Sequence, residues 1–149
     1  MEKNKNVKKY LSYKEAYSKM NNAIKLGFYL EAITIQESII SDRLLSFVIG
    51  KNIVRISENE LHKSEVNFSN LLKKTKDFMS EYKTLPDELE LFRKDRNTCV
   101  HLLVKSFPGK PTIDVLNFNS LARETSVKGK RLTRKVLEWH KTEKKKTNP

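Results

Sequence analysis

The stretch from Phe28 to Ile49 constrains the fold most, because it is apolar on two sides at once. At about 100° per residue, Ile33, Ile40, Leu44, Phe47 and Val48 share one face, while Ala32, Ile35 and Ile39 lie on another. A helix with one apolar stripe can lie on a surface, but a helix with two must be covered on both sides. The same stretch carries Glu31, Glu37, Asp42 and Arg43, too many charges for a membrane span. It is expected at the centre of a helical bundle in a soluble protein. Glu37 projects from within the first face, between Ile33 and Ile40, where a carboxylate needs an ion pair or hydrogen bonds.

The rest of the chain supplies the helices that would surround it. Ser12-Tyr13-Lys14-Glu15 has the form of a capping box and predicts a first helix from residue 12 to about Lys25, stopped at Gly27. Tyr13, Ala16, Tyr17, Met20, Ala23 and Ile24 give that helix an apolar side. After a polar connection over 51–63, Ser64 is placed to cap a third helix with Phe68, Leu71, Leu72, Thr75, Phe78, Met79 and Tyr82 at helical spacing. The segment 109–118 is mixed and irregular. A last helix is expected from about Asn119 to His140, weakened by the interior Gly129, with Leu121, Thr125, Leu132, Val136 and Trp139 on one side. No hairpin, strand or repeat signal is present. The prediction is an all-α antiparallel bundle of about five helices, one domain over 12–140, with a basic arm at 1–11 and a basic disordered tail at 141–149.

Leu85 to Gly109 is the remaining helix and the best punctuated one. Thr84 can cap it, Pro86 fits its first turn, Asp87, Glu88 and Glu90 suit its positive end, and Pro108-Gly109 stop it. Leu89, Phe92, Cys99, Val100, Leu103, Val104 and Phe107 fall on one arc. Arg96 projects from the middle of that arc. A guanidinium there keeps its charge and needs an acid, an anion or a subunit boundary. Glu37 is the first candidate partner and Asp42 the second. His101 lies about 140° round the helix from Arg96, with Asn97 one turn before it on the same side.

Charge and the absence of familiar motifs narrow the chemistry. The net charge of +12 sits mainly at the ends, +4 in residues 1–14 and +7 in residues 128–149, leaving only +1 between them. Lys128, Lys130, Arg131, Arg134, Lys135, Lys144, Lys145 and Lys146 are the candidate contacts to a polyanion. Lys-rich ends that merely keep a protein soluble would look the same. The single cysteine excludes an internal disulfide framework and suits a reducing cytoplasm. The basic N-terminus is not followed by an apolar run, so no secretory signal is expected. One Cys and three His provide no ligand set for a dedicated transition-metal site, and no Gly-rich phosphate loop or nucleophilic Ser elbow occurs. Cys99, on the apolar arc, is expected in the core. No cofactor is implied.

Arg96-Asn97-Thr98-Cys99-Val100-His101 resembles the signature of the HEPN family, an Arg and a His separated by four to six residues, often with a polar residue after the Arg. The bare spacing occurs twice more, as Arg55…His62 and Arg134…His140, but only the Arg96 copy has the following Asn and a strongly capped amphipathic helix. The resemblance covers roughly Ser12 to Lys105 in helix order. It implies a helical bundle that dimerises and brings two motifs together in a cleft. It also implies metal-independent endoribonuclease activity of the kind found in toxins and antiphage effectors, with an antitoxin or a defence complex as a further partner. Arg96, His101 and Asn97 would be the catalytic set, supported by Glu37 or Asp42. An imidazole with an ordinary pKa near 6.5 moves protons at neutral pH, and a guanidinium holds a phosphate. RNA supplies its own nucleophile, so no metal is required. One branch of the family continues the motif as His-x-Tyr and is silenced at that Tyr. Leu103 stands there in this chain. The alternative function is a non-catalytic helical module that binds nucleic acid or a protein partner through its basic ends.

Overall fold

The computed structural model describes residues 2–60, 66–101, 108–109 and 114–147. Among these residues the chain forms five α-helices and no strand: α1 (Glu2–Leu26), α2 (Tyr29–Gly50), α3 (Phe68–Thr75), α4 (Leu85–His101) and α5 (Val115–Thr147). The two apolar faces of α2 meet different neighbours. Ile33, Ile40, Leu44, Phe47 and Val48 join the main core with Leu89, Phe92 and Cys99 of α4 and Leu132, Val136 and Trp139 of α5. Ala32 packs instead with Met20 and Ala23 of α1, against Ile35. The longest packed seam runs between α2 and α5; α1 and α3 lie against α2, and α4 lies against α5. The all-α bundle expected from periodicity is therefore the architecture present.

Turn chemistry explains how α1 folds back on α2. Gly27 has φ of +82°, a left-handed conformation in which a side chain would be strained. That turn lets the Phe28 N–H reach the Ala23 carbonyl at 2.8 Å, closing α1 in the manner of a helix C-cap. Trp139 is fully buried, packs against Phe47 with ring centroids 4.8 Å apart, and donates its Nε1–H to the Phe78 carbonyl at 2.9 Å. A large apolar body is thus buried without stranding its one polar atom.

Five boundaries and one exposure differ from the sequence expectations. The helix expected from residue 12 begins at Glu2, so 2–11 is no separate arm. Ser12 Oγ donates back to the Lys8 carbonyl at 3.0 Å inside a continuing helix, because nothing in 2–11 breaks one. At the other end α5 continues to Thr147, and Glu143 is buried, so the tail from 141 is helical rather than disordered. The same helix starts before Asn119, at Val115, where Asp114 Oδ1 accepts from the Leu116 N–H at 3.1 Å. The third helix stops at Thr75 and tightens into a 3-10 turn over Lys76–Phe78. The Thr75 hydroxyl donates to the Leu71 and Leu72 carbonyls, and the freed Phe78 carbonyl is the one that accepts from Trp139. Its cap is Asn67, whose Oδ1 accepts from the Asn70 N–H at 2.9 Å. Finally, Val100 of α4 is 42% exposed rather than part of the buried arc. Ser64, and Leu103, Val104 and Phe107 of that arc, lie outside the described residues.

Gly129 is more than a weak point in α5. A Cβ at that position would lie 1.9 Å from Gln36 Oε1 and 2.7 Å from Phe92 Cε2. Only glycine allows α2 and α4 to approach α5 this closely. Gln36 is fully buried there and donates its amide to the Ser126 carbonyl at 2.7 Å.

Candidate active site

The motif is assembled by two helices that the core holds side by side. Ile33 and Ile40 fix the face of α2 from which Glu37 projects, and Leu89, Phe92 and Cys99 fix the rotation of α4. Those constraints bring Arg96 Nε to 2.5 Å from Glu37 Oε2, with the two side chains 28% and 23% exposed. Geometry makes this a close ion contact rather than a straight hydrogen bond, since Nε has no aligned acceptor. Arg96 Nη1 donates to Asn97 Oδ1 at 2.9 Å. The guanidinium is thus gripped on two sides, by an acid from the neighbouring helix and by the amide beside it. Nη2 has no protein acceptor among the described residues.

His101 is the last described residue of α4 and is exposed. It sits one turn beyond Asn97, so the fixed cation and the solvent-facing imidazole share one helix. Cys99 is fully buried within 4.0 Å of the Thr125 hydroxyl, and burial pushes its thiol pKa up. That is the opposite of what a nucleophilic thiolate requires.

Asp42, the second candidate partner of Arg96, belongs to a different group. It accepts from Lys9 at 2.5 Å, from Arg43 at 2.6 Å, and from the Tyr13 hydroxyl. Burial works to raise its pKa, but those three donors more than offset it and leave the carboxyl below the usual range. The Arg43 guanidinium also lies over the Tyr13 ring, 4.9 Å from its centroid. Sequence reasoning could not find this group, because Lys9 lay in the segment taken for an arm.

The basic residues of α5 do not form one uninterrupted patch. Lys135 Nζ lies 2.9 Å and Arg131 Nη2 3.7 Å from Glu88 of α4. Lys146 bridges Glu81 at 3.0 Å and Glu143 at 3.2 Å. Arg134 faces the α1 side, close enough to act electrostatically on Tyr17. Lys128, Lys144 and Lys145 are exposed, and Lys130 is half-buried.

Of the other two Arg–His spacings, His62 lies outside the described residues. Arg134 and His140 point to different sides of α5, Arg134 exposed and His140 half-buried beside Trp139. Among the described residues no cluster of His, Cys, Asp or Glu could hold a metal ion, and no helix is long and apolar enough to cross a membrane. Comparison with protein-family models, with curated proteins and with solved structures gives no match.

Proposed function

We propose that the chain is a metal-independent endoribonuclease of the HEPN type, acting as a cytoplasmic homodimer in toxin-like or antiphage cleavage of RNA. The observation that carries this reading is the Glu37–Arg96–Asn97 assembly with an exposed His101 one turn away. A cation held by both an acid and an amide is pre-set to receive a phosphate, and a solvent-facing imidazole is free to exchange protons. In the proposed reaction the RNA 2′-oxygen attacks the adjacent phosphorus as its proton passes to one His101. The bond from phosphorus to the 5′-oxygen breaks, and the leaving oxygen takes a proton from the partner subunit's His101. The products are a 2′,3′-cyclic phosphate and a 5′-hydroxyl. Arg96 offsets the charge that builds on the phosphoryl oxygens. Val100, 42% exposed and one turn from Arg96, gives a second copy an apolar side chain to cover beside the motif. An antitoxin or defence-complex partner would act by covering the same groove.

A non-catalytic helical module would use the same ion pair only to join α2 to α4, and Arg96 is sufficiently enclosed for that role. The two functions part on one experiment. Purified protein incubated with mixed RNA and a chelator should release fragments with 2′,3′-cyclic phosphate ends, and H101A should not. Equal cleavage by H101A in a nuclease-free preparation rejects the enzyme reading. Sedimentation at micromolar concentration should give a dimer, and a clean monomer removes the shared groove.

A further inference from the structure

The two basic ends of the chain converge in space. Lys9 of α1, Arg43 of α2, Lys51 just beyond α2 and Lys144 of α5 line one cleft of about 730 Å³. None of Glu37, Arg96, Asn97 and His101 lines it, and along α2 its lining runs from Asp42, about 8 Å from Glu37, to Lys51 at about 20 Å. The cleft is therefore separate from the Arg96–His101 site.

Two carboxylates also line it, Asp42 and Glu143, and both are already neutralised. Asp42 is met by Lys9, Arg43 and Tyr13, and Glu143 by Lys146. Lys51 and Lys144 have no carboxylate partner among the described residues. His140 adds an imidazole to the wall, kept neutral at physiological pH because burial, Arg43 and Lys144 push its pKa down to about 4. It can donate or accept a hydrogen bond without adding charge. Lys8 of α1 and Lys141 and Lys145 of α5, close in the chain to Lys9 and Lys144, are exposed as well.

Neutralised acids inside, and several exposed lysines on the two helices that border the cleft, suit an extended polyanion better than a single small anion. We infer that this cleft binds the phosphodiester backbone of an RNA strand, at a place distinct from the cleavage motif. The identity of the strand as RNA rests on the ribonuclease reading above, and the site would hold it largely without sequence preference.

The test uses a labelled 2′-O-methyl oligoribonucleotide, which cannot be cleaved, so loss of catalysis and loss of this site remain distinguishable. Binding by fluorescence anisotropy is compared for the native chain, K51E/K144E, and a control of equal charge, K73E/K83E. The cleft variant should lose at least about tenfold in affinity, and its log–log salt slope should become shallower by about two, while the control should change by no more than about threefold. Equal losses in the two variants would mean that only net charge matters and would overturn the proposal. Thermal melts check that each variant folds, and K51Q/K144Q should show the same loss on a smaller scale. Localisation comes from the histidine ring NMR signals, with that of His140 identified by its absence from H140Q. The oligonucleotide should shift the His140 signal. No shift counts against the site. Saturation of the same shift by adenosine monophosphate at the same concentration, or displacement of the strand by polyglutamate at lower charge concentration than by unlabelled RNA, overturns the backbone assignment.

Discussion

Glu37 and Asp42 stand on the same helix, each beside an arginine, yet they have opposite surroundings. Among the described residues Glu37 meets Arg96 alone, and the histidine about one turn and a half further along α4 is exposed. Asp42 is saturated by Lys9, Tyr13 and Arg43, and its nearby histidine is half-buried and held neutral. A carboxylate with three donors has little capacity left to respond to a ligand. A carboxylate with one partner can orient that partner and leave the rest of its donors for substrate. Both are carboxylates beside a guanidinium; donor count and exposure tell them apart, and on the proposed function only the first leaves its arginine free to meet a substrate.

The largest effect expected from this contrast is on cleavage. His101→Ala should reduce metal-independent RNA cleavage by at least about a hundredfold, the usual minimum for a general acid–base residue, while shifting the melting temperature by less than about 2 °C. His140→Ala should leave single-turnover cleavage at saturating enzyme within about threefold. If the two variants exchange these results, the assignment of the exposed histidine is wrong.

Stability comes next. Arg96→Ala leaves a partly enclosed Glu37 without its cation and should cost about 1–3 kcal/mol, reduced from the fully buried case because both side chains keep some solvent. Thermal melts should fall by several degrees. A rise instead would mean that Arg96 is repelled by other cations, as when two copies face each other across a groove. Asp42→Asn should cost less, about 1 kcal/mol, since Lys9 can return to water and Tyr13 retains an acceptor.

The acid limb of the stability curve gives a further distinction. Asp42 has a lowered pKa in the folded chain, so its contribution is present above the unfolded value near 3.8 and is lost as pH falls through the folded value. Asp42→Asn should flatten stability below about pH 4. His140 acts at higher pH than Asp42. Its folded pKa of about 4 lies below the ordinary 6.5, so between those values the unfolded chain takes up the proton. Stability should decline as pH falls across that window, and His140→Gln should remove that part of the slope. Denaturant titrations at pH 7, 5.5 and 4.5 measure it. An unchanged slope in the variant would place His140 in a wetter setting than its burial implies.

These contrasts were unevenly legible in the sequence. The two-sided character of α2 was plain from its periodicity, and so was the need of Arg96 for an acid. Glu37 followed because it projected from the matching face. The group around Asp42 was hidden, since Ser12-Tyr13-Lys14-Glu15 satisfied a local helix-start pattern while the chain had no reason to stop being helical before it. Lys9 owes its position to tertiary packing, which no local pattern records. The α5 tail was misjudged in the same way: a run of lysines reads as solvated until Glu81 and Glu143 are seen beside Lys146. Truncation at residue 140 would therefore disturb folding as well as charge, so charge reversal is the cleaner probe of that end.

The contact at Gly129 also fixes where α5 can sit along its own axis. Sliding that helix by one turn in either direction would bring Thr125 or Thr133 against Gln36, each with a branched side chain where the space admits no Cβ at all. α5 contains no second glycine to offer a substitute. The chain thus has a single permitted register for its longest helix. With that register set, Glu88 meets Lys135, Trp139 reaches the Phe78 carbonyl, and Lys144 comes to the mouth of the same cleft as Lys51.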